Sequence, residues 1–138
     1  MKDYLKGIGA WFVKYWSGSA MTKQGNKKFT KDGIPDLLVC YCGVFIGIEL
    51  KAPRGHPSDL QWYHLKEIDK AGGIAVLLYP KDFEQFKCLM KDIEHDELPI
   101  SYNLYDVYPF VKNAVDIEEM LQAKIRKEQV KDYGKESS

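Results

Sequence analysis

Cysteine is scarce in this chain. Cys40, Cys42 and Cys88 are three in number and have no secretory context, because the opening MKDYLKGIGAW lacks the apolar segment of a signal peptide. A disulfide scaffold is excluded on that ground, and the three thiols are expected to be reduced and buried. Cys40 and Cys42 stand as C-x-C within one strand, with no second Cys or His pair at finger spacing, so a structural zinc site is excluded as well. Long hydrophobic runs are also missing. None approaches the roughly 20 residues that a membrane span needs, which predicts no membrane segment and a cytoplasmic location. Net charge is absent too, with 20 Lys+Arg against 20 Asp+Glu, and there is no internal repeat or long low-complexity stretch. What remains is a 138-residue chain that is 45% hydrophobic and 29% charged, the composition of one globular domain able to bury a core.

The zero balance hides an asymmetry. Residues 1–66 carry 10 Lys+Arg against 5 Asp+Glu, and residues 67–138 carry 10 against 15. The first half is therefore the one suited to an anionic partner. Within it, TKQGNKKFTK places Lys23, Lys27, Lys28 and Lys31 around Gly25 and Asn26, as a basic loop beside phosphates would; a plain solvated loop is the alternative.

Hydrophobic periodicity predicts a short helix over residues 2–8, then a strand in WFVKYW (11–16). Strands DLLVCY (36–41) and VFIGIELK (44–51) flank a Cys42-Gly43 turn and read as a hairpin. A helix runs from Pro57-Ser58 to about Ala71 and is closed by Gly72-Gly73, a buried strand follows in GIAVLLYP (73–80), and a second helix spans residues 82–93. The core order is α-β-β-β-α-β-α. Residues 95–138 read as an extension of the same domain, with an irregular aromatic connector, a charged helix over 115–132 and a frayed GKESS end.

The hairpin raises a question of charge. Folding residues 36–51 about Cys42-Gly43 sets Tyr41 opposite Val44 and, continuing outward, Asp36 opposite Glu49, with Cβ atoms about 4.5 to 5.5 Å apart. Lys51 joins that face, while Leu37, Val39, Tyr41, Val44, Ile46, Ile48 and Leu50 form an apolar set on the other. The apolar set fixes the register, since a slip of one residue would bury the charges. Like charges in opposition destabilise a sheet unless something compensates them. A divalent cation does so, because two carboxylates, a backbone carbonyl and water suit Mg²⁺ or Mn²⁺. Lysine beside such an ion suits phosphodiester hydrolysis. The structural alternative is that Lys51 only pairs with a carboxylate at a sheet edge.

Gly33-Ile34-Pro35-Asp36, then Ile48-Glu49-Leu50-Lys51, then Gln61 in the following helix resemble the PD-(D/E)XK nuclease superfamily. More narrowly they resemble its VRR-NUC branch, especially the small stand-alone members of phages and prophages. The likeness covers about residues 5–93 and implies a restriction-endonuclease-like α/β fold, with a nuclease core in residues 1–94. It implies that Asp36, Glu49 and the Leu50 carbonyl bind Mg²⁺, with Mn²⁺ able to substitute. It also implies that Lys51 and Gln61 complete a catalytic set of Asp36, Glu49, Lys51 and Gln61. Gln61 has a second reading, since Ser58-Asp59-Leu60-Gln61 fits a capping box. Arg54 and His56, in the loop between the active strand and this helix, could touch phosphate; a solvated loop is the alternative. His64 and His95 read as surface or packing residues. Many relatives carry a further acid on a longer first helix, where this chain offers only Asp3.

The expectation is a Mg²⁺-dependent deoxyribonuclease, structure-selective for branched or junction DNA and located in the host cytoplasm if phage-encoded. The alternative is a catalytically weak DNA-binding or assembly subunit that keeps the fold. DNA is the expected partner. A homodimer is expected too, from the aromatic segment SYNLYDVYPF (101–110) as an interface; the alternative from pattern alone is that this segment wraps back and covers its own sheet, and the resemblance favours the dimer because it implies two paired active sites.

Overall fold

Strand-forming and helix-forming stretches alternate along the chain, and in the computed structural model they assemble into a mixed α/β fold. The structure describes residues 1–15, 33–98 and 104–136. The elements are α1 (Lys2–Gly7), β1 (Trp11–Lys14), β2 (Leu37–Tyr41), β3 (Val44–Leu50), α2 (Asp59–Lys70), β4 (Ile74–Leu78), α3 (Phe83–Glu94), α4 (Leu104–Val107), β5 (Val111–Lys112) and α5 (Ala114–Glu136). The five strands form one sheet in sequence order. β1, β2 and β3 are antiparallel, β3 and β4 are parallel, and β5 returns antiparallel to β4.

The register of the central hairpin is the expected one, with Tyr41 paired to Val44 and Leu37 to Ile48. Cys42 and Gly43 both take positive φ, 50° and 80°, as a two-residue turn matched to the twist of its strands requires. One sheet face packs Leu37, Val39, Ile46, Ile48 and Val76 against Phe86, Leu89, Met90 and Ile93 of α3 and Leu5 of α1. On the other, Ala75 and Leu77 meet Leu65 of α2 and Ile117 of α5. Helices thus cover both faces, as a sheet with a parallel pair requires.

Three expectations are corrected. All three cysteines are free but exposed rather than buried. Cys40 shares a sheet face with exposed Trp11 and Phe45, Cys42 occupies the hairpin turn, and Cys88 lies on the solvent side of α3. The stretch after residue 94 is not wholly irregular, since it contains α4 and β5. A two-residue strand is too short to show alternation. Nor does the described part of the aromatic segment offer an interface core: Tyr108 and Phe110 are buried in the chain's own core, and the Tyr108 hydroxyl donates to Asp92. The Phe110 carbonyl accepts the N–H of Leu77 at 3.0 Å, adding β5 to the sheet.

The helix over 115–132 is longer than its pattern suggests, running from Ala114 to Glu136. Asn113 starts it by accepting the Asp116 N–H at 2.9 Å and donating to the Asp116 carboxylate at 2.8 Å. Asp69 at the end of α2 accepts the Ala114 N–H at 2.8 Å, and Lys66 pairs with Glu118 at 2.8 Å, tying α5 to α2. Among the described residues no helix is long and apolar enough to cross a membrane.

Candidate active site

Asp36 precedes β2, and Glu49 and Lys51 stand at the carboxyl end of β3. Register alone brings the three together. Extending the pairing one step past Leu37–Ile48 sets Asp36 opposite Glu49, and one step further sets Pro35 opposite Leu50. That second pair is where the ladder changes. A hydrogen-bonded antiparallel pair exchanges two N–H groups, and Pro35 has none to give, so position 35 supplies no donor to the Leu50 carbonyl. The Leu50 N–H donates instead to the Asp36 side chain, with Oδ2 at 2.8 Å. Asp36 is also held from behind, its backbone carbonyl accepting the Tyr15 N–H at 2.8 Å.

Glu49 is the least ordinary residue of the site. The register keeps it off the apolar face as expected, yet it is buried, only 1% exposed, because α2 lies over that side of the sheet. Its Oε1 accepts from Gln61 Nε2 at 3.0 Å and lies 3.6 Å from Lys51 Nζ. Its Oε2 is buried with no hydrogen-bond partner among the described residues. Burial, and then the facing charge of Asp36, push the Glu49 carboxyl up to about 8, with Lys51 opposing the shift.

Gln61 caps α2 and also reaches Glu49. Its Oε1 accepts the Ser58 N–H at 2.9 Å, the Ser58 hydroxyl oxygen accepts the Gln61 N–H at 3.2 Å, and the remaining amide nitrogen reaches Glu49. The capping box therefore orients the amide, and the orientation presents a donor to the carboxylate.

Neither a protein-family model nor a curated protein matches the chain. Chemistry at the site must be read from its own geometry.

An orphaned carboxylate oxygen beside a second carboxylate and a carbonyl without its ladder donor is a set of hard oxygen atoms that fits a divalent cation. Asp36, Glu49 and the Leu50 carbonyl would hold it. No cluster of three or more His, Cys, Asp or Glu suited to a metal forms among the described residues. Asp3 is exposed on α1 and does not join the two acids in such a cluster.

Of the other residues singled out from sequence, Arg54 and His56 are exposed in the loop between β3 and α2. His64 lies edge-on to Tyr63 at 5.3 Å, and His95 is exposed at the end of α3. Lys23, Lys27, Lys28 and Lys31 fall outside the described residues.

One contributor was not singled out from the sequence. The Tyr79 hydroxyl donates to the Gly55 carbonyl at 2.8 Å, and the Gly55 N–H donates to the Ala52 carbonyl at 2.8 Å. This turn rests on the stem of Lys51, since a Cβ at Gly55 would lie 3.5 Å from Lys51 Cδ. Tyr79 thereby braces the lysine from 28 positions along the chain, and no local spacing signals it. Gly33, which opens the Gly33-Ile34-Pro35-Asp36 motif, lies at φ +81° against the first turn of α2, so close that a Cβ would stand 2.7 Å from the Leu60 carbonyl carbon and 2.9 Å from the Gln61 nitrogen.

Proposed function

We propose that this chain is a divalent-metal-dependent DNA endonuclease of the PD-(D/E)XK type, with a VRR-NUC-like core, acting on branched or junction DNA. The observation that carries the reading is Glu49: a buried carboxylate with one oxygen that no hydrogen-bond donor among the described residues reaches, faced by Asp36 and flanked by Lys51. A charge so placed is costly unless a cation is its partner.

Asp36, Glu49 and the Leu50 carbonyl would hold Mg²⁺ or Mn²⁺. When bound, the ion supplies positive charge against the phosphate oxygens and makes water acidic enough to serve as nucleophile near neutral pH. The chain's own groups do the rest. Gln61 fixes the Glu49 carboxylate through a donor that the capping box has already oriented. Lys51, its stem held by the Gly55 turn, presents an ammonium to the charge that gathers on phosphoryl oxygens as water adds to phosphorus and the P–O ester bond breaks. The water loses a proton, the departing oxygen gains one, and the products are a phosphate end and a hydroxyl end. Arg54 is exposed to meet the DNA backbone, and the lysine-rich composition of residues 22–31 suits the same partner.

A homodimer belongs to the same reading. With Tyr108 and Phe110 turned inward, its interface would draw on exposed apolar residues such as Trp11, Val13 and Phe45, which register puts on one sheet face. Light scattering at micromolar concentration decides the point; a monomeric mass with and without branched DNA removes paired incision and leaves single-strand nicking.

The second reading, a DNA-binding or assembly subunit that has lost catalysis, is favoured by the two-acid ligand set. One experiment separates the two. Purified protein is incubated with linear, flapped and four-way DNA in Mg²⁺, Mn²⁺ or EDTA. The nuclease reading expects cleavage that EDTA abolishes, and it expects Lys51→Ala to bind DNA with wild-type affinity while losing at least about a hundredfold in rate. Binding without cleavage under any metal supports the subunit.

A further inference from the structure

Outside the carboxyl ends of the parallel strands β3 and β4 lies a pocket of about 390 Å³, lined by Met1, Leu50, Lys51, Leu78, Tyr79, Pro80 and Phe83. Crevices at this end of parallel strands are where α/β sheets bind ligands. Three features of this one bear on what fills it. Its walls are mostly apolar and aromatic, with the Lys51 ammonium and the Met1 amino terminus as the charged groups, so it suits a ligand that joins an apolar body to an anion. The walls are also fixed in advance. The Tyr79 hydroxyl is tied to the Gly55 carbonyl at 2.8 Å, and the Phe83 ring is held edge-on by Tyr4 at 5.7 Å, with Lys87 Nζ 4.7 Å from its centroid. Finally, Lys51 belongs both to this pocket and to the Glu49 site, whose carboxylate is 3.6 Å from its ammonium.

We infer that this pocket receives one unstacked nucleobase of a DNA strand whose adjoining phosphate lies at Lys51. A base is flat and apolar on its faces and is joined through its sugar to an anion. The pocket offers the matching order, aromatic and aliphatic walls followed by a cation at the rim. The inference rests on the nuclease reading for the role of that phosphate, and it narrows the substrate class. A base inside a pocket cannot also be stacked in a duplex, so the nucleotide beside the cleaved bond is unpaired, as at a flap, a gap or a branch point.

The test uses the full chain in EDTA, where no cleavage occurs, with a single-stranded oligonucleotide whose one base is 2-aminopurine set between abasic sites. Isolated from neighbouring bases, the fluorophore is bright, and contact with Tyr79 and Phe83 quenches it. The expected result is saturable quenching by wild type, weakened at least about tenfold by Leu50→Glu, which puts a carboxylate into the pocket, and by Phe83→Leu, which keeps bulk but removes the ring. Circular dichroism confirms that each variant is folded, and Leu50→Glu, at a residue 36% exposed, carries the conclusion if Phe83→Leu does not fold. Absence of quenching by wild type, or equal quenching by folded Leu50→Glu, overturns the assignment even if Mg²⁺-dependent cleavage is observed. Quenching that responds to these variants in a protein that cleaves nothing upholds the base pocket and rejects the nuclease reading.

Discussion

Glu49 sets a pH dependence that needs no substrate to measure. In the unfolded chain its carboxyl ionises near the ordinary 4.5; in the folded protein burial and Asp36 push it up to about 8. Between those values the folded state holds the extra proton, so the contribution of Glu49 to stability is fully present below about 4.5 and is lost as pH rises towards 8. At about 1.4 kcal/mol per pH unit the loss amounts to a few kcal/mol. Urea midpoints measured in EDTA should fall from pH 5 to pH 8.5 for wild type, and much less for Glu49→Gln, whose amide can still accept from Gln61. Added Mn²⁺ should flatten the wild-type slope by giving the ionised carboxylate a partner, and should leave Glu49→Gln unchanged. Parallel declines in both proteins, with or without metal, would place the titrating group elsewhere.

Between elements, the decisive contact is the one between the approach to β2 and the start of α2. Gly33 sits against the backbone of Leu60 and Gln61, and no flexible side chain is there to yield. A methyl group at that position meets carbonyl carbon, oxygen and nitrogen at 2.7 to 2.9 Å, on a backbone already at φ +81°. Strain from the left-handed conformation alone is about 1 to 3 kcal/mol, and relief of the clash must push the first turn of α2 away from the sheet. That turn carries Gln61 and with it the hold on Glu49 Oε1. Gly33→Ala should therefore lower stability by at least about 2 kcal/mol and weaken Mn²⁺ binding in calorimetric titration. A variant as stable as wild type, with unchanged Mn²⁺ affinity, would mean that α2 is free to shift without consequence for the site.

For the molecule as a whole, residues after 94 supply core. Phe110 is 3% exposed, packs edge-on to Phe86 at 6.3 Å and hydrogen-bonds β4 through its carbonyl, while α5 closes the second core around Ile117. Truncating a buried phenylalanine costs about 3 to 5 kcal/mol. Phe110→Ala should show a loss of that size as one transition, seen together by tryptophan fluorescence and far-ultraviolet circular dichroism. Two separated transitions, or a loss under about 1 kcal/mol, would mean that the C-terminal part folds apart from the rest.

Alternation of apolar residues and a two-residue turn determined the hairpin register by themselves, and with it the opposition of Asp36 to Glu49. These are local properties of period two, so they are legible in one dimension. Helix α2 was legible for the same reason, since Ser58 and Gln61 are three apart and cap each other before any tertiary contact forms. Depth was not legible. Nothing between residues 36 and 51 says that α2 will lie over the charged face and bury Glu49, because that depends on where a helix lands after a crossover to a parallel strand. Tyr79 bracing Lys51, Gly33 receiving the α2 backbone and Phe110 completing the core all join positions far apart in the chain. Neither spacing nor composition encodes such contacts; they exist only once the sheet has set the distances between them.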